Sequence, residues 1–117
     1  MRGSAAIEFA IVVPLVLALL LGLVEVAVVA RTQLQVIHAA REGAREAATS
    51  PDPSTAVRVA RAALGDAGPE ARIGVRRPHV VGEMASVEVS LRHRIARGLL
   101  GDLSVEVSST ATMRVER

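Results

Sequence analysis

The sequence predicts an α+β protein. A long N-terminal helix with a membrane-spanning half runs into a small head of one short helix and an antiparallel sheet of about three strands. Three observations predict it. From Phe9 to Val24 no residue is charged or strongly polar, and after Glu25 the apolar run resumes to Ala30 before Arg31 closes it. Between that run and Thr49 stands no proline, and helix formers dominate. In the last third of the chain, apolar and polar residues alternate with a period of two, the pattern of a half-buried strand.

The apolar run sets the class. Residues 9–30 make a helix of about 33 Å at 1.5 Å per residue, which matches a hydrocarbon core of about 30 Å. We therefore assign 9–30 as a transmembrane helix preceded by a short segment, 1–8. Pro14 would cost about 3 kcal/mol in a water-exposed helix interior, but membrane helices tolerate proline, so a mild kink is expected. Glu25 lies near the far end of the span as an intramembrane acid. It could snorkel to the interface or pair with a cation on another subunit.

Charge does not settle the orientation. Arg2 and the amino group stand on one side, and Arg31, Arg41 and Arg45 on the other, so the positive-inside rule leans weakly against an exported head. The N-terminal tail, however, is too short to translocate a domain. A cleavable secretory signal is the competing reading, with "VVA" at 28–30 and cleavage before Arg31. The apolar stretch exceeds the usual 7–15 residues of a signal, roughly speaking, and Glu8 nearly offsets Arg2.

Beyond the membrane, "RTQLQVIHAAREGAREAAT" at 31–49 continues the helix. Leu34, Ile37, His38 or Arg41, Ala44 and Ala48 follow helical spacing, a narrow face of mostly small residues suited to close packing. Gly43 is a weak spot, costing about 1 kcal/mol relative to alanine. Pro51 and Pro53 in "SPDPS" stop the helix. Ser54 is the expected N-cap of a short helix, "TAVRVARAAL", with Val57, Ala60, Ala63 and Leu64 on one face. "GDAGP" at 65–69 ends it.

The strands follow. "ARIGVRR" at 71–77 is the weakest candidate. "SVEVSLRHRI" at 86–95 puts Val87, Val89, Leu91, His93 and Ile95 on one face. "LSVEVSSTATMRVE" at 103–116 puts Leu103, Val105, Val107, Ser109, Ala111, Met113 and Val115 inward. "ARGLLGD" joins these two as an antiparallel pair, with Arg92 or Arg94 expected opposite Glu106. The head, 54–117, holds no aromatic residue and is marginal alone. It needs the outer half of the long helix in its core.

Composition narrows the function. The chain has 117 residues, no cysteine and a formal net charge of +2. No disulfide framework or thiolate metal site can be built. Every basic residue is arginine, which we read as codon bias toward GC-rich DNA. Nucleic acid is not an expected partner, because single-strand binders stack bases on aromatics and Phe9 is the one aromatic here. His38, His79 and His93 lack metal-ligand spacing, and no serine sits in a nucleophile elbow. We assign no catalytic residue, metal or cofactor. Arg76, Arg77, Arg92, Arg94 and Arg97 could touch anionic lipid or an acidic partner, though solvated strand and loop faces explain them more simply.

Three stretches carry a family resemblance. "RGSAAIEFAIVVPLVLALLLGLVE" at the start, "HAAREGAREAA" after the membrane run and "STATMRVE" near the end together resemble the TadE-like proteins, minor pseudopilins of tight-adherence (Flp-type) pilus systems. The stretch 51–85 adds nothing distinctive. The resemblance implies cleavage on the cytoplasmic side by a prepilin peptidase. Gly3 would be the last leader residue, Ser4 the new N-terminus and Glu8 the fifth mature residue. Phe9 stands where major Flp pilins usually carry tyrosine. A leader of three residues leaves room for a start codon upstream.

In pilins the fifth-position acid is held to attract the N-terminal amine of an adjacent subunit. A carboxylate at the membrane edge is costly unless paired, so the physics agrees. Residue chemistry alone favours a Glu8 that simply remains hydrated among the headgroups; the glycine at the right spacing turns the reading toward processing. The resemblance further implies a major pilin, a sister pseudopilin, inner-membrane platform proteins and an assembly ATPase as partners. It implies a single-pass membrane protein with a cytoplasmic N-terminus and an extracytoplasmic head. The alternative is a secreted binding domain, 31–117. A proton relay using Glu8 and Glu25 is disfavoured because about 25 Å of helix separates them.

Overall fold

A computed structural model describes residues 2–95 and 103–116. The "ARGLLGD" connection with Arg97, and the terminal residues Met1 and Arg117, lie outside the described residues. In chain order the elements are helix α1 (Arg2–Thr49), helix α2 (Pro53–Ala63), a 3-10 segment (Gly65–Glu70), and strands β1 (Arg72–Arg76), β2 (Met84–Arg94) and β3 (Ser104–Arg114). The architecture is the expected α+β one.

Helix α1 is the axis of the molecule. Its 48 residues give a rod of about 72 Å, and the molecule measures 78 × 21 × 17 Å. Pro14 lies inside it and withdraws the N–H that the Ala10 carbonyl would otherwise accept. The most apolar stretch is long enough to cross a membrane, and none of it is buried in the molecule.

The outer half of α1 is covered by the head. Buried positions are Thr32, Val36, Ala39, Ala40, Gly43, Ala44, Ala47 and Ala48, with Val29 packed against the same core. This seam is rotated from the face expected around Leu34, Ile37 and Arg41. Leu34 is 68% exposed and Arg41 is also exposed, whereas Ala44 and Ala48 are buried as expected. Residue size explains the choice. Alanine and glycine let the sheet and α2 approach the helix backbone, and a branched side chain would hold them off.

Gly43 marks the closest approach. A Cβ there would lie 3.0 Å from Val87 Cγ1 and 3.1 Å from Ala60 Cβ. The residue that the sequence reads as a weak spot in the helix is the point where α1, α2 and β2 meet.

Helix α2 is capped by Asp52, two residues before the expected Ser54. The Asp52 carboxylate accepts the Ser54 backbone N–H at 3.0 Å and the Ser54 hydroxyl at 2.8 Å. Pro53 occupies the first helical turn, where its missing N–H costs nothing. Ser54 is therefore a donor to the cap. Ala56, Ala60 and Leu64 are buried against α1 and the sheet, with Ala63 at their margin. Val57, expected on that face, is only partly buried. Gly65, at φ +62°, turns the chain out of the helix. Arg61 then bridges back, donating from Nη1 to the Gly68 carbonyl at 2.6 Å.

The sheet is antiparallel with order β1-β2-β3. Its register sets Val87 against Val75 and Ala111, and Arg92 opposite Glu106, as the alternation predicts; Arg94 faces Ser104. On β2 the inward set Ala85, Val87, Val89 and Leu91 is buried. On β3 the expected inward row is buried only in part. Val107 and Val115 are buried, Ser109 and Ala111 intermediate, and Leu103, Val105 and Met113 exposed. The alternation is correct; the cover is narrower than the strand is long, because one helix crosses the face.

Beta-strand β3 runs alongside α1. Gln33 Nε2 donates to the Ser108 carbonyl at 3.3 Å, and the Glu116 N–H donates to the Ala48 carbonyl at 2.9 Å. Arg77 Nε donates to the Ala47 carbonyl at 2.7 Å. Two orphan carbonyls of the last turn of α1 are thus taken up by the head.

Two outcomes test this packing. Gly43→Leu overpacks the meeting point and should weaken the head by about 1–3 kcal/mol, read from hydrogen exchange of the β2 amides in detergent micelles. Gly22→Leu, where nothing lies within 4 Å of the added Cβ, should leave those amides unchanged. The second outcome concerns pH. Hydrogen bonds from the Ser54 hydroxyl and N–H hold the Asp52 carboxyl below its usual range, with Arg58 adding to the effect. A depressed folded pKa stabilises above the unfolded value and is lost as pH falls through the folded one. Asp52→Ala should therefore lower the melting temperature at neutral pH, and the gap should close in strongly acidic buffer.

Candidate functional site

The chemistry-bearing residues lie along α1. Gly3 and Ser4 are exposed in its first turn, with nothing within 4 Å of a Cβ at Gly3. One turn further, Glu8 is exposed and Phe9 is 71% exposed. The described residues bring nothing else of the chain to this end. The four positions form a short, bare helical end capped by one acid, followed by uninterrupted apolar surface.

The other acid has a partner. Glu25 Oε2 lies 3.3 Å from His93 Nε2, each side chain keeping about a quarter of its surface exposed (26% and 23%). In this contact the imidazole N–H at Nε2 donates and the carboxylate accepts. The sequence reading offered Glu25 the interface or a cation on another subunit. The structure supplies a partner 68 residues away in the same chain. Strand alternation had placed His93 on the inward face of β2, so one half of the pair was visible. The other half needed the knowledge that the inward face is covered by α1 as far down as residue 25.

His38 and His79 are exposed and stand apart from His93. On the opposite face of the sheet, Glu70, Arg72, Ser90, Leu91, Arg92 and Glu106 line a shallow open cleft. Its charges alternate in sign, and it has little apolar lining to grip a small molecule.

The two acids define the frame for function. Between Glu8 and Glu25 lies a helix of about 24 Å with no polar side chain and no cover from the head. At its N-terminal end are the glycine, serine and acid with the spacing noted in the sequence. At its other end the head begins.

The model of the TadE-like protein family matches residues 3–45, from the bare first turn through the bare span to the small-residue seam. No curated protein and no solved structure gives a significant match. Over residues 3–45 the chain is similar to the TadE-like protein family, and this segment lies in a helix long and apolar enough to cross a membrane.

Proposed function

We propose that the protein is a non-enzymatic, pseudopilin-like membrane protein that helps to initiate or assemble a tight-adherence (Flp-type) pilus. The observation that carries this reading is the family match over residues 3–45, which includes Gly3, Ser4, Glu8 and Phe9 and the uncovered apolar helix. In this reading a prepilin peptidase cuts between Gly3 and Ser4. Glu8 then meets the new amine of a neighbouring subunit at the membrane edge, where a lone carboxylate is costly. The bare helix serves twice, in lipid before assembly and against neighbouring subunits during it. Partners are the major pilin, a sister pseudopilin, the inner-membrane platform proteins and the assembly ATPase. The N-terminus is cytoplasmic and the head extracytoplasmic. The protein itself needs no cofactor.

The competing reading is a secreted binding domain released before Arg31. One structural feature weighs against it. Such a cut would remove Glu25 and Val29 and leave His93 without its carboxylate, although the seam from Thr32 to Ala48 would survive.

The N-terminal sequence of the mature protein separates the two. Ser4 is the expected first residue; Arg31 would establish secretion, and an intact N-terminus would leave a plain anchor. Gly3→Val should abolish the cut and leave the full-length form in the membrane. Glu8→Gln should leave membrane insertion intact and reduce pilus number sharply, counted by electron microscopy. Normal pilus numbers would make Glu8 a hydrated bystander.

A further inference from the structure

The head and the membrane claim the same stretch of helix. The apolar run extends to Ala30, yet the head already touches α1 at Glu25, where His93 docks. The β2–β3 pair reaches lower still. Ser108 is level with Gln33, and β3 runs parallel to α1. Five residues back, Leu103 lies about 17 Å nearer the N-terminal end at about 3.4 Å per strand residue. That is about 11 helical residues, which brings Leu103 level with Gly22. The His93 contact checks this scale independently. Val105, the register partner of His93, lies about 10 Å below Ser108, or level with residue 26 by the same conversion, and His93 meets Glu25.

A hydrocarbon core of about 30 Å needs about 20 helical residues. Counted from Phe9, it ends near Val28. A head held wholly in water would leave only the helix from Phe9 to about Leu21, roughly 20 Å, too short by about a third. Sliding the helix outward instead would draw Glu8 into hydrocarbon unpaired, at a cost.

We propose that the lower end of the β2–β3 pair is a membrane-docking surface, seated in the headgroup and upper acyl layer of the leaflet on the head's side. The proposal rests on the reading of α1 as a membrane-spanning helix. The chemistry of this end fits a bilayer. Leu103 is 52% exposed, and Val105 is exposed beside it. On α1, Leu23 and Val26 present apolar surface at the same level. Arg31, Arg92 and Arg94 are exposed around and above them, in reach of lipid phosphates. At this end β2 and β3 pair with each other, with Ile95 N–H donating to the Leu103 carbonyl at 2.9 Å and Arg94 in register with Ser104, while the outer edge of each has no strand partner there among the described residues. The strands therefore enter the interfacial layer without offering it a fully open ladder. Glu25, the one acid at this depth on the helix, enters already hydrogen-bonded to His93.

The test uses single tryptophans, since the chain has none. The full chain carrying Leu103→Trp, Leu17→Trp or Val81→Trp is reconstituted into vesicles of phosphatidylcholine and phosphatidylglycerol with brominated acyl chains. Val81 is 63% exposed at the far end of the head, next to the Gly82 to Val115 hydrogen bond. The expected result is strong quenching at Leu103→Trp and Leu17→Trp and none at Val81→Trp. Quenching at Leu17→Trp with Leu103→Trp as unquenched as Val81→Trp overturns the proposal and leaves the spanning helix standing. A blue-shifted but unquenched Leu103→Trp also overturns it, because a second protein copy, and not lipid, then covers the surface. If Leu17→Trp itself is unquenched, the spanning reading fails and the docking surface with it.

Discussion

Everything in the head depends on how closely a sheet can approach a helix. Five of the eight buried residues in the seam from Thr32 to Ala48 are alanine, with Val36 and Gly43 as its largest and smallest members. Such residues bury little apolar area each, but they bring the α1 backbone within reach of polar groups on the head. That is why the Arg77 side chain and the Glu116 N–H can take the Ala47 and Ala48 carbonyls, and why Gln33 can reach the β3 backbone. The core proper is thin: Val36, Val87, Val89 and Val115 are its largest fully buried side chains. A domain with so little apolar bulk and no aromatic depends on complementarity, where one added methyl at Gly43 already meets two neighbours.

Much of this was legible in the chain. The apolar run, the proline stop at Pro51 and Pro53 and the alternation in β2 and β3 each rest on a local periodicity or a local steric rule. They read correctly because no tertiary contact is needed to express them. The opposition of Glu106 to Arg92 or Arg94 was legible for the same reason, since two alternating strands with one connection have few registers; the register selects Arg92. The helix face was legible only in part. Its small-residue character, with Ala44 and Ala48, was read from spacing, and both are buried. Leu34 and Ile37 are the larger aliphatics, and a hydropathy argument prefers them, whereas the sheet selects the smaller residues beside them, a preference that belongs to the partner. The Asp52 cap was missed for a smaller reason. Pro53 reads as a stop from the left and as a first-turn residue from the right, and both roles are played at once.

The candidate site divides in the same way. Gly3, Ser4, Glu8 and Phe9 could be proposed from the sequence because the argument for them lies in spacing along one helix, and the family match spans all four positions. The partnership of Glu25 and His93 joins residues on two elements and could be seen only when α1 and β2 were superposed. It also changes what the second acid is for. Glu25 ties β2 to the helix near the lower end of the head, so the rod and the head are joined within the last turns of the apolar run.

The order of elements along the chain has a temporal consequence. The alanine seam is complete once residue 48 is made, but its cover includes β3, which begins at Ser104. At synthesis rates of 5–20 residues per second, the seam waits about 3–10 s for that strand. Until then the face along β3 stays open, and Glu25 lacks its partner until residue 93 is made. Contacts that span so much sequence also form slowly once available. A nascent chain thus has its rod well before its head is closed.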